Sequence, residues 1–305
     1  MSERATGRLQ LLAAALIFSA GGAGIKACEL TAWQIASFRS GIAAVVVLLL
    51  MPEARRGWSW RVVVAGLPYA ATVLLFVLAN KLTTSANTIF LQSTAPLYIL
   101  IAAPFLLRER NRPIDLAVMG LIVAGLALFF VGVEAPVRTA PNPVAGNLLA
   151  VLSGVAWAFT IMSLRWMGRA SGEQRGSAAG AVVSGNITAF LVALPFALPV
   201  EHATPLDWTV LAGLGVIQLG IGYVFLTKAA RHVPAFETSV LLLLEPALNP
   251  LWALAINGER PGPWSLIGGG VILAATLLKT WADSVSSGRE GRATRADRGS
   301  EPPGP

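Results

Sequence analysis

Glu245 is the only carboxylate that falls at the midpoint of a long apolar stretch in this chain; it follows Leu241–Leu244 and directly precedes Pro246. In a low-dielectric setting its ionised form is disfavoured unless a cation compensates. A carboxyl group there therefore binds a cation, carries a proton, or pairs with a buried base. Arg39, about eight residues into another apolar stretch, is the candidate base and is read as structural. At 100° per residue, Thr238, Asn249 and Trp252 fall within about 60° of Glu245 on a helix. The same arithmetic gathers Asn87, Thr94 and Tyr98 within about 40° in the stretch 84–107. Polar stripes of this kind face a water-filled cavity, or else make helix–helix hydrogen bonds averaging about 0.6 kcal/mol. Trp157 and Gln218 lie mid-span in two further stretches, and Tyr223 joins them more weakly. Pro96 and Pro246 stand inside apolar stretches, where each removes a backbone donor and forms either a site or a packing kink. All these groups suit the binding of a small polar or cationic group.

Other chemistries lack their parts. His202 and His232 both lie away from mid-span, and Cys28 is the single cysteine, so no metal site or cofactor is expected. A Gly-rich loop with a phosphate-binding lysine is missing too, which leaves ATP hydrolysis unsupported.

The elements that must position these residues follow from composition. Of 305 residues, 55% are hydrophobic and only 13% charged, about half the charge of a soluble domain. Mean hydropathy is +0.66. The expectation is an all-α integral membrane protein. Ten stretches are long enough to cross about 30 Å of hydrocarbon: 9–27, 32–51, 62–80, 84–107, 114–133, 147–164, 178–198, 209–228, 234–257 and 264–282. The net charge of +7 sits in short runs between them, which indicates membrane topology and membrane lipid, not nucleic acid. With a cytoplasmic N-terminus, eighteen basic residues fall inside and four outside (Lys26, Lys81, Arg138, Arg260), so both termini are expected inside. Seven of the nine tryptophans lie at stretch ends; Trp157 and Trp252 do not. Lys26, two residues before Cys28, spoils a lipoprotein cleavage box, so 9–27 reads as a retained helix. The segment 283–305 reads as a disordered cytoplasmic tail.

The chain also repeats itself. A shift of 150 lays Pro96 on Pro246, Glu109 on Glu259, Arg110 on Arg260 and Gly120 on Gly270. A shift of 139 lays Gly7 on Gly146 and Lys26 on Arg165, but sets Ala178 where Arg39 would map. The Glu-Arg pairs are expected to be end-caps with local partners. Two five-helix halves, 9–133 and 145–282, result. Five is odd, so equivalent helices run oppositely: an inverted repeat, the architecture of carriers that bind at the midplane between halves.

With these features the sequence resembles the EamA-type proteins of the drug/metabolite transporter superfamily over nearly all of 9–282. The resemblance rests on the helix count, the two halves, GIKACELTAWQIASFR, and the repeated segments ending in LLRER and INGER. It implies a polytopic inner-membrane carrier, often an exporter of amino acids, metabolites or toxic compounds; with the residues above, the expectation is a secondary carrier exporting an amino acid or related metabolite. Candidate partners are the small-molecule substrate, membrane lipid, a coupled proton and a second copy of the chain. A channel or assembly subunit is the alternative, with an intramembrane lipid-modifying enzyme behind it. The enzyme needs clustered acid–base groups at depth, and Glu245 stands alone there.

Overall fold

A computed structural model describes the chain except residues 1–2, 107–111, 132, 134, 169–176, 230–231, 234 and 300–305. Among the described residues the regular structure is helical, apart from a lone bridge between Val137 and Ala140. In chain order the helices are α1 (Glu3–Ser19), α2 (Gly21–Ala27), α3 (Ala32–Leu50), α4 (Trp60–Leu82), α5 (Ser85–Gln92), α6 (Ala95–Leu106) and α7 (Pro113–Val131). They continue with α8 (Pro143–Gly168), α9 (Ala178–Ala197), α10 (Pro205–Gly213), α11 (Gly222–Ala229), α12 (Ala235–Leu242), α13 (Leu244–Asn257) and α14 (Pro263–Gly299). A π-helical segment, Leu214–Ile221, joins α10 to α11.

Nine helices among the described residues are long and apolar enough to cross a membrane. The ten expected stretches differ from these nine at 84–107, where the helix breaks at Ser93–Thr94 into α5 and α6. At 1.5 Å per residue even the longer piece spans only about 18 Å, too short to cross alone. At the other end α14 runs on as helix to Gly299, where composition suggests a disordered tail from 283. No proline interrupts 283–299, and its four arginines, two alanines and one glutamate favour helix, whereas its glycines and serines do not.

The surface is apolar, unlike that of a soluble protein, and the interior mixes apolar clusters with buried polar side chains. Large apolar side chains such as Leu49, Phe105, Val131 and Leu191 are exposed, whereas Arg39, Asn80, Asn147 and Asn186 are buried. In lipid, apolar surface gains nothing by hiding, so helices associate through close packing at small residues and through hydrogen bonds. Gly66 of α4 lies against Gly185 of α9, and Gly125 of α7 against Gly268 of α14; a Cβ at Gly66 would stand 2.7 Å from the Gly185 backbone nitrogen. Capping follows the sequence. Thr31 and Gln34 form a reciprocal box at the start of α3, and Thr204 and Asp207 another at the start of α10.

Candidate functional site

Helix interruptions shape the site. The first apolar span breaks between α1 and α2 at Ala20, the pair α5/α6 at Ser93–Thr94, and the pair α12/α13 at Leu243, while the π segment carries Gln218. Pro96 is the second residue of α6 and Pro246 the third of α13. First-turn N–H groups have no acceptor within the helix, so a proline there forfeits no hydrogen bond. The two prolines begin half-helices; they do not kink a continuous helix near its middle, as their place in the apolar stretches suggests. The breaks are equivalent under the 150-residue shift, Gln92 and Leu242 each ending the first piece.

Between these pieces lies a cavity of about 310 Å³. Six of the residues singled out from sequence line it: Arg39, Pro96, Trp157, Gln218, Glu245 and Pro246. Tyr223, the weaker candidate, makes a seventh; Phe18, Thr72, Phe76, Gln92, Ser93 and Thr276 also line it and were missed by sequence reasoning. Gln92 and Ser93 had a signal, being polar residues just before Pro96 inside an apolar stretch. Phe18 and Thr276 had none, because only tertiary packing brings the first and last spans to the cavity.

Arg39 is 1% exposed, and its Nε and Nη1 have no hydrogen-bond partner. The expected ion pair with Glu245 is not formed among the described residues. The phenol rings of Tyr69 and Tyr223 stand in electrostatic range of the guanidinium instead, and Tyr223 is also in range of Glu245. Those two rings meet edge-on at 5.4 Å, and Phe18 meets Tyr223 at 5.2 Å. Gln218 Oε1 is a third buried atom without a partner. Its amide lies against the α1/α2 break, where a Cβ on Gly21 would come within 2.6 Å of Nε2. Glu245, in the first turn of α13, is half-buried with its carboxyl group on the cavity wall. Trp157 packs beside Tyr69 and Val73 and presents an apolar face.

Five candidates are not brought to the cavity wall. Asn87 donates from Nδ2 to Asn147 Oδ1 at 3.1 Å, tying α5 to α8. Thr94 donates to the Leu91 carbonyl and contacts the Tyr98 hydroxyl at 3.3 Å; Tyr98 packs with Leu97, Leu100 and Val118. Asn249 donates from Nδ2 to the Ser19 carbonyl at 3.1 Å, and the Trp252 indole N–H donates to Ser19 Oγ at 3.0 Å. Ser19 ends α1, so this pair satisfies groups that the break exposes. The first stripe scatters because its 100° arithmetic assumes a continuous helix and the break at Ser93–Thr94 falls inside it. Glu245, Asn249 and Trp252 share α13, but Asn249 and Trp252 lie farther along it and bond Ser19 instead.

At the helix ends that charge patterning assigns to the outside, Lys26 Nζ meets Glu259 Oε1 at 3.1 Å, both side chains 3% exposed. Glu259 Oε2 also accepts the Ser85 N–H at 2.7 Å, and Lys26 donates to the Thr83 carbonyl at 2.7 Å. Glu259 thus has a distant partner, not the local end-cap that the Glu-Arg spacing suggests; Glu109 and Arg110 lie outside the described residues. Among the described residues no group of three or more His, Cys, Asp or Glu could hold a metal.

Comparison with known proteins bears on this cavity. The chain is 26% identical over 196 residues to the threonine/homoserine exporter RhtA of Escherichia coli (strain K12), covering 61% of this chain and 63% of that protein. It is 26% identical over 283 residues to the pseudopaline exporter CntI of Pseudomonas aeruginosa (strain UCBPP-PA14), covering 89% of this chain and 95% of that one. A solved crystal structure superposes with a TM-score of 0.60 at 20% identity, covering 91% of this chain and 97% of that chain, which supports the fold alone. The family model described as EamA-like transporter family matches twice, at residues 5–131 and 144–281. Taken with the apolar helices and the mostly apolar cavity they enclose, those two matches make this a multi-pass membrane protein of transport, not of catalysis: the chain belongs to the EamA-like transporter family.

Proposed function

We propose that this protein is a secondary carrier that exports a small organic solute, an amino acid or related metabolite, across the inner membrane by alternating access. The cavity carries the reading: it is mostly apolar, roughly the volume of a small-metabolite site, and holds one carboxyl group with no ion pair to Arg39. In this reading the broken pair α5/α6 is a tenth crossing. Residues 9–133 and 145–282 are then inverted five-helix repeats with both termini cytoplasmic. The equivalent breaks at 92 and 242 support that arrangement, since discontinuous helices at matching places are the usual mark of a binding site between repeats. Glu245 binds the substrate's ammonium group or a coupled proton. Trp157 and Tyr223 wall the solute, and Gln218 offers its free oxygen. Export by the two relatives supports direction and solute class.

The test is uptake and efflux by reconstituted vesicles against amino acids and metabolites, with and without a pH gradient. Saturable efflux of at least one amino-group-bearing solute is expected. Equal leak with and without protein across the whole panel would reject the carrier reading.

A further inference from the structure

Arg39 heads the fully buried large side chains, and two of its nitrogens lack any acceptor. A guanidinium offers five N–H donors in a planar fork, and charged donors buried without acceptors are the costliest kind to leave unmet. The cavity's other polar side chains are mostly occupied: Gln92 donates to Ser153 Oγ at 2.8 Å, Ser93 to the Ile89 carbonyl at 2.7 Å, and Thr72 to the Pro68 carbonyl at 2.8 Å. Arg39 is also unique to its half. It lies seven residues beyond Ala32 at the start of α3; aligned by helix starts, its counterpart in α9 is Gly185 and not the Ala178 that the 139-residue shift sets there, and neither is charged. The scaffold therefore forms its second half with no charge at that place.

We propose that Arg39 is an anion subsite of the cavity and receives the carboxylate of the bound solute on its free nitrogens. A carboxylate matches the guanidinium fork in shape and charge. The inference deepens the carrier reading and rests on it for the claim that the bound solute is also transported. With Glu245 facing the same cavity, the site accepts a molecule bearing both an anionic and a cationic group.

The experiment uses the full chain in lipid nanodiscs and phenylglyoxal, which modifies guanidinium groups, with the Arg39 peptide followed by mass spectrometry. Three probes are compared at matched ionic strength: L-homoserine, 4-hydroxybutanoate (carboxylate only) and 3-aminopropan-1-ol (amine only). Arg39 should be modified, and both carboxylates should slow it, about threefold at twice their dissociation constant. The amine should not. An Arg39 that resists the reagent in every condition, is unaffected by both acids, or is protected equally by the amine overturns the subsite. Vesicle flux separates the two readings. Protection of Arg39 without flux of any probe rejects transport of these solutes and keeps the subsite. Where homoserine flux occurs, Arg39→Gln should lower it about tenfold or more while sparing 3-aminopropan-1-ol; equal loss of both fluxes makes the arginine structural.

Discussion

A carboxyl group without an internal cation responds to neutralisation differently from one that has a partner. Glu245 does not pair with Arg39, so Glu245→Gln strands no opposite charge. The variant should keep its thermal stability in detergent within about 1 kcal/mol and lose transport or the pH dependence of transport. Normal flux with unchanged pH dependence removes Glu245 from the mechanism. Cys28 gives a second expectation at this scale. It is 1% exposed, and burial pushes its thiol up to about 11. Thiolate is the reactive form, so maleimide at pH 7.5 should leave Cys28 unlabelled in the folded protein and label it after denaturation in SDS. Reactivity should rise only as pH approaches that value; rapid labelling of native protein at pH 7.5 contradicts the burial.

Helices here meet through missing side chains, and two glycines separate that effect from helix propensity. A Cβ at Gly66 would meet the Gly185 nitrogen at 2.7 Å and the Ala181 carbonyl oxygen at 3.0 Å, whereas a Cβ at Gly120 has nothing within 4 Å. Backbone cannot rotate aside, so Gly66→Ala should part α4 from α9 and cost roughly 1–3 kcal/mol. Gly120→Ala should instead be neutral or gain up to about 1 kcal/mol from propensity. Melting temperatures in detergent that fall equally for both variants would mean the close approach is not what holds these helices. Apolar runs of about twenty residues were plain in the sequence, and so were the paired prolines. Their consequence was not. A proline at position two or three of a new helix and a proline inside an old one look alike until the break upstream is seen.

Across the molecule, the buried Lys26–Glu259 pair joins the end of α2 to the loop after α13. Glu259→Gln leaves a buried ammonium unpaired and should cost roughly 3–5 kcal/mol, with Lys26→Met in the same chain recovering much of the loss. No recovery in the double variant, read by thermal unfolding, would show that the two residues act separately. The proposed topology has its own check. Reporter fusions after Ala140 and His202 should read outside and one after Ser171 inside, and a reversal at any of the three breaks the ten-crossing arrangement.

Membrane residence, helix content and the near-duplication of two halves were decided by composition and repetition alone. Lipid rewards apolar length whatever the neighbours are, and repeats survive as shifts that can be counted. Which polar residues meet in one place was a tertiary matter. Asn87, Thr94 and Asn249 look no different in sequence from Gln92 and Gln218, yet the first three bond neighbours away from the cavity, while Gln218 and Gln92, the latter also bonded to Ser153, line it. The interruptions at Ala20, Ser93–Thr94 and Leu243 and the π segment around Gln218 reset the helical phase. Phase within one helix is local, but the position of a break depends on what packs against it. Arg39 shows the same division: its burial was foreseeable from its place in an apolar run, and its lack of a partner required knowing where Glu245, Tyr69 and Tyr223 came to rest.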